Sequence, residues 1–192
     1  MIPFIDDDFI EAQTSFKDLG DLISSEFNNP EVTTPLRHHH DFPNPEAGKD
    51  STLLLMPAWS SGKDLGVKIV TVSPDNGKYD LPSIQGNYLY LDAHKGSVRA
   101  IFDAKALTAK RTAAVSALAA TYLARQDSDT LLVLGTGALA KNLVLAHAEF
   151  RRLKQVYIWG RDFEKANKLG RSLIQSLGRN SGSDLGFQAF AI

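Results

Sequence analysis

Cysteine is absent from the 192 residues, which excludes disulfides, thiolate catalysis and cysteine-ligated metal centres together. Net charge is nearly absent as well. The 21 basic and 22 acidic side chains leave −1, which gives no electrostatic reason to expect nucleic acid or acidic membranes as partners. No apolar run approaches the roughly 20 residues that span a bilayer. The opening MIPFIDDDFI has acids where a secretory leader needs basic residues, so the expectation is a cytoplasmic protein that engages no membrane. Internal repeats and low-complexity tracts are missing too. What remains, 43% hydrophobic and 22% charged residues, is the make-up of a globular protein.

Strand-like segments dominate the first half. Residues 5–27 place Phe9, Phe16, Leu19, Leu22, Ile23 and Phe27 at near-helical spacing, as one amphipathic helix or two short ones. FPNPEAGKD (42–50) is a turn-rich connector. STLLLMPAW and LGVKIVTVS (65–73) read as strands and PDNGKYDLP as a loop. SIQGNYLYLD reads as a strand that reverses through AHKG into SVRAIFDA.

The character changes at Leu107. LTAKRTAAVSALAATYLARQ is a long helix, with Thr108 as its N-cap and an apolar face through Ala114, Leu118, Tyr122 and Leu123. A strand TLLVLG, a helix over 138–152, a strand QVYIWG and a helix over 163–177 follow, and GFQAFAI opens a third strand. The fold class is therefore α/β. An N-terminal α+β domain over 1–125 precedes an incomplete Rossmann-type parallel sheet over 126–192.

The stretch LLVLGTGALA (131–140) carries a G-x-G-x-x-A pattern between a strand and a helix. Gly135 permits the tight turn, Gly137 lets backbone approach a pyrophosphate, and Ala140 lets helix pack on strand. The helix start offers free N–H groups and a positive dipole end to the phosphates. At the end of VYIWGRD, where NAD sites carry an acid for the ribose 2′-hydroxyl, stands Gly160, followed by Arg161. A guanidinium suits a 2′-phosphate. NADP(H) is the preferred cofactor and NAD(H) the alternative, since Asp162 also lies within reach of a ribose.

Three cations stand in unusual places. Lys68 interrupts a Val/Ile strand, where an unpaired buried ammonium is very costly. Arg111 falls in the first turn of the expected helix, the wrong end for a cation unless an anion is present. Arg37 precedes three histidines. Each has a plain reading: Lys68 on an exposed sheet face, Arg111 paired with Asp103, Arg37 on the surface. In an extended chain His38 and His40 share a face and His39 does not, so at most two could share an ion, and no metal site is expected. Met56 and Trp59 read as core or pocket wall.

Taken in order, TLLLMPAW, LGVKIVTVSPDN, LPSIQGNYLYLDAHKG, LTAKRTAAVSALAATYLAR, LLVLGTGALA and VYIWGRD resemble the ornithine cyclodeaminase/mu-crystallin family along essentially the whole chain. The resemblance implies a substrate-binding, dimerising domain followed by a Rossmann domain, a homodimer, and NAD(P)-linked chemistry on small imino or amino acids. It places Arg37, Lys68 and Arg111 among the family's carboxylate-binding cations and Ser83 among its pocket hydroxyls. Gly135, Thr136, Gly137, Ala138 and Leu139 match its pyrophosphate turn, and Gly160–Arg161–Asp162 its adenosine-ribose end.

Leu54 and Gly160 stand where the cyclodeaminase branch carries acids. The expected activity is therefore reduction of a cyclic or open ketimine carboxylate, such as pyrroline-2-carboxylate, to an L-amino acid. Ornithine cyclodeamination with bound NAD is the second reading, and a non-catalytic nucleotide- or ligand-binding protein the third. No residue is identified as the proton donor. Family members extend well past residue 192. The expectation is a fragment or truncated product, inactive and aggregation-prone by itself because GFQAFAI would form an apolar edge.

Overall fold

The computed structural model describes residues 1–181 and 186–190, without the side chains of 178–181. Packing divides the chain into two units, Met1–Gln13 with Glu26–Thr108 and Thr14–Ser25 with Ala109–Ile192. This division falls earlier than residue 125 and assigns a segment near the N-terminus to the second unit.

The first unit is built on one sheet. Its elements are β1 (Phe4–Ile5), α1 (Asp7–Gln13), β2 (Val32–Thr33), β3 (His38–Phe42), β4 (Ser51–Ser60), β5 (Asp64–Val72), β6 (Ile84–Asp92) and β7 (Val98–Asp103). The strands run in the order β1-β7-β6-β5-β4-β2, and β3 also pairs with β4. Only the β1–β7 pairing is parallel. The expected β6–β7 hairpin is present. The Asp92 carboxylate accepts the His94 and Lys95 N–H groups and pairs with Arg99, whose guanidinium is the main reason its pKa falls to about 2. Thr52–Ser60 are half-buried throughout, so both faces of β4 keep partial exposure.

The second unit contains most of α2 (Phe16–Phe27) and α3 (Ala104–Leu123), then β8 (Thr130–Leu134), α4 (Ala140–Phe150), β9 (Gln155–Trp159), α5 (Phe163–Ser181) and β10 (Gly186–Phe190). The three strands are parallel in the order β10-β9-β8. Val133, Val156 and Ile158 share one sheet face by register and form a core with Val144, Ala166 and Leu173. Leu132 and Leu134 belong to the other face and are 53% and 72% exposed. The apolar edge expected at GFQAFAI is described over Gly186–Phe190, and residues 191 and 192 lie outside the described residues. The more exposed leucines are on the opposite edge strand, β8.

The structure decides one local expectation and corrects others. Residues 5–27 form two helices, interrupted at Thr14–Ser15, and the Ser15 hydroxyl accepts the Asp18 N–H at the start of α2. The helix α3 starts at Ala104, one turn earlier than Thr108, because the Asp103 carboxylate accepts the Lys105 N–H and caps it. Thr108 is thus an interior residue. Arg111 lies two turns into the helix, where the dipole argument no longer applies.

The buried residues of α3 are Ala104, Ala106, Lys110, Ala113, Ala114 and Ala117, and Tyr122 and Leu123 are 74% and 86% exposed. Methyl-sized side chains let Phe16 and Ala146 pack against α3. At Gly20, a Cβ would sit 2.3 Å from the Phe150 ring, so any side chain there would require that ring to move.

At the same interface the Ser116 hydroxyl lies 3.2 Å from Nε2 of the buried His147. Burial, with help from the Arg151 charge, pushes the His147 pKa down. The folded state therefore resists a proton that the unfolded chain accepts at its usual pKa of about 6.5. The stabilisation is complete above that pH and is lost as pH falls toward the folded value. The urea midpoint is expected to drop more steeply below pH 6.5 in the wild type than in His147→Gln. Parallel pH profiles for the two proteins would show that His147 is not responsible.

Candidate functional site

The glycine-rich turn lies between β8 and α4 in the second unit. Gly135 has φ +111°, a region side chains rarely adopt, and its N–H donates to the Trp159 carbonyl. A Cβ on either Gly135 or Gly137 would meet nothing within 4 Å, so the space above both backbones is open. Ala140 is buried and begins α4. Leu139 holds the N-cap position without a side-chain cap, leaving the helix start to another hydrogen-bond acceptor. An open cradle, an uncapped helix and a positive dipole end together fit a dinucleotide pyrophosphate. Gly135, Thr136, Gly137, Ala138 and Leu139 are the residues that would hold it.

Gly160 follows β9 directly and is buried against Thr136. A Cβ there would come within 3.0 Å of Thr136 Cγ2, tighter than ordinary contact. A carboxylate side chain at 160 would thus require Thr136 to move. Arg161 is exposed at this end of the sheet. Asp162 caps α5: its carboxylate accepts the Lys165 N–H and lies 3.7 Å from the Lys165 ammonium.

The first unit carries the other candidates. Lys68 lies mid-β5, half-buried, with Met56 opposite it on one side and Tyr88 on the other. Directly opposed residues share a sheet face. Arg37 is exposed and immediately precedes β3, whose first residue His38 pairs with Leu55. Ser83 is exposed and its carbonyl accepts the Ser73 N–H, five residues along from Lys68, or about 17 Å of strand. Arg111 belongs to α3 in the second unit and is exposed.

Two features of this face went unread in the sequence. Tyr88 lies down across Gly66, where a Cβ would overlap the phenol. A groove of about 350 Å³ opens there, with Ala58, Ser60, Asp64, Tyr88 and Tyr90 in its walls. Burial pushes the Tyr88 phenol pKa up, and a hydrogen bond donated to Asp64 does the same for Tyr90. Glycine inside a Val/Ile strand was the available signal. The second feature is a hydrogen-bond contact between His39 Nε2 and Asp41 Oδ1, 3.0 Å apart. His38 and His40 share the other face, their ring centroids 6.3 Å apart. Among the described residues no group of three His, Cys, Asp or Glu side chains could hold a metal ion. Nor, among them, is any helix long and apolar enough to cross a membrane.

The parallel three-stranded sheet and its open glycine turn define a Rossmann-type dinucleotide fold preceded by an α+β domain. The sequence profile of the ornithine cyclodeaminase/mu-crystallin family matches residues 6–180, and the chain belongs to that family. It is 34% identical to a Delta(1)-pyrroline-2-carboxylate reductase of Colwellia psychrerythraea, over 83% of this chain and 50% of that one. It is 38% identical to the ketimine reductase mu-crystallin of Rattus norvegicus, over 67% of this chain and 42% of that one. The structure of Thermococcus litoralis Delta(1)-pyrroline-2-carboxylate reductase in complex with NADH and L-proline superimposes with a TM-score of 0.84 at 25% identity. That match covers 99% of this chain and 57% of that one. The chain spans about half the length of the curated relatives it matches.

Proposed function

We propose that the protein acts in NAD(P)H-dependent reduction of a small cyclic or open ketimine carboxylate, of which pyrroline-2-carboxylate is the type. The observation that carries this reading is the open Gly135–Gly137 cradle leading into an uncapped helix. Relatives named as imine reductases support the substrate class. In this reading Arg37, Lys68 and Arg111 hold the substrate carboxylate and fix the C=N carbon for attack, orientation that lowers a barrier by several kcal/mol. Ser83 lines the pocket. The cofactor, when bound, supplies the hydride. A homodimer through the half-exposed sheet of the first unit completes the proposal.

Leu54 and the tight space at Gly160 favour reduction over ornithine cyclodeamination, which the family resemblance associates with acids at both positions. The test is NADPH oxidation with pyrroline-2-carboxylate or piperideine-2-carboxylate, on the protein at the length the cell makes. Ornithine-dependent ammonia release without turnover of either imine would reverse the order of the two readings.

NADP(H) rather than NAD(H) is the proposed cofactor, with Arg161 gripping the 2′-phosphate. A charge-assisted contact is worth about 1.5–3 kcal/mol. Arg161→Ala is thus expected to weaken NADPH binding roughly 10- to 100-fold and leave NADH binding unchanged in a fluorescence titration. Equal losses for both cofactors would remove Arg161 from the 2′-phosphate site.

A further inference from the structure

We propose that His39, oriented by Asp41, delivers the proton to the imine nitrogen. The inference rests on the reductase reading above and supplies the group that reading leaves unnamed.

The strand registers place the pair. His39 is opposite Leu54 and Asp41 opposite Thr52, while Met56, on the same face of β4, is opposite Lys68. Opposed residues and alternate residues of a strand share a face, so His39, Asp41 and Lys68 are on one side of the sheet. Arg37 lies two residues before His39. With strands about 4.8 Å apart and a rise of about 3.4 Å per residue, the His39 and Lys68 backbones are about 12 Å apart. Standing roughly perpendicular to the sheet at that spacing, a lysine side chain and an imidazole leave room between them for a molecule the size of proline. A carboxylate held by Arg37 and Lys68 then sets an α-imine nitrogen on the side of His39.

The pair is built to carry a proton. Asp41 accepts the Thr52 hydroxyl at 2.6 Å and lies 3.0 Å from His39 Nε2. These two hydrogen bonds, Thr52 first, hold the Asp41 carboxyl below the usual carboxylate range. Asp41 therefore remains an anion that fixes the ring through Nε2, while Nδ1–H is directed to the substrate. In the reaction the imine carbon takes a hydride from reduced nicotinamide and the C=N π pair moves to nitrogen. The N–H bond forms as the His39 Nδ1–H bond breaks. Neutral imidazole then recovers its proton from water.

Two readouts test this. Histidine ring resonances are followed by NMR while pyrrole-2-carboxylate, a planar analogue of the imine, is added. The His39 ring is expected to shift with the ligand's own saturation curve, and the rings of His38 and His40, on the other face, to stay still. In imine reduction, His39→Ala is expected to lower kcat about 100-fold or more with little change in KM. Added imidazole should restore part of the rate, and Asp41→Asn should give an intermediate loss. Ligand binding that is lost in Lys68→Met but never registers at His39 would overturn the proton-donor role alone. Failure of the analogue to bind at all would overturn the reductase reading with it.

Discussion

Gly137→Val is expected to abolish tight NADPH binding while leaving the fold intact. Gly137 lies in the turn where the pyrophosphate would approach backbone, and its missing Cβ leaves open space rather than a packed contact. A valine there strains nothing in the protein but fills the volume the phosphates need. Losing two charge-assisted N–H contacts at about 1.5 kcal/mol each predicts a loss of about 100-fold or more. Gly135→Val makes an informative comparison. Its φ of +111° adds backbone strain of about 1–3 kcal/mol, so this variant should also melt earlier. If Gly137→Val keeps wild-type affinity in a fluorescence titration, the turn is a structural corner and not a cofactor cradle.

Lys68→Met is the second large effect. Lys68 is a half-buried ammonium in a strand whose neighbours are Val67, Ile69 and Val70. Methionine matches its length and removes only the charge. If Lys68 meets the substrate carboxylate, one charge-assisted contact of about 2–3 kcal/mol disappears. Affinity for pyrrole-2-carboxylate should then fall roughly 30- to 150-fold. Unchanged ligand affinity in calorimetry would return Lys68 to the plain role of a solvated sheet residue.

The legible parts of the sequence were those governed by short-range rules. Alternation and apolar runs located β4, β5, β6 and β7, and the strand–glycine–helix pattern located β8, the turn and α4. The errors arose where a nearer cap was overlooked or a distant contact decides. The start of α3 is set by the adjacent Asp103 carboxylate, while the sequence pattern suggests the Thr108 hydroxyl as the cap. Ala113, Ala114 and Ala117 face Phe16 because α2 returns from far earlier in the chain to pack there, which no local periodicity announces.

The basic residues show the same limit. Sequence spacing could not bring Arg37 and Lys68 together. The β3–β4–β5 register shows instead that His39 and Asp41, just after Arg37, share a sheet face with Lys68. The triple histidine was read correctly as split between two faces. The role of Asp41 depends on Thr52, eleven residues away, and became visible only once those strands were paired.

Calorimetric titration of NADPH with and without saturating pyrrole-2-carboxylate most directly tests whether the glycine turn and the Lys68 face serve one reaction. Each ligand is expected to bind the wild type and to tighten the other, with the coupling lost in both Gly137→Val and Lys68→Met. Independent binding, with each variant losing only its own ligand, or no NADPH binding at any concentration of the acid, would contradict the account.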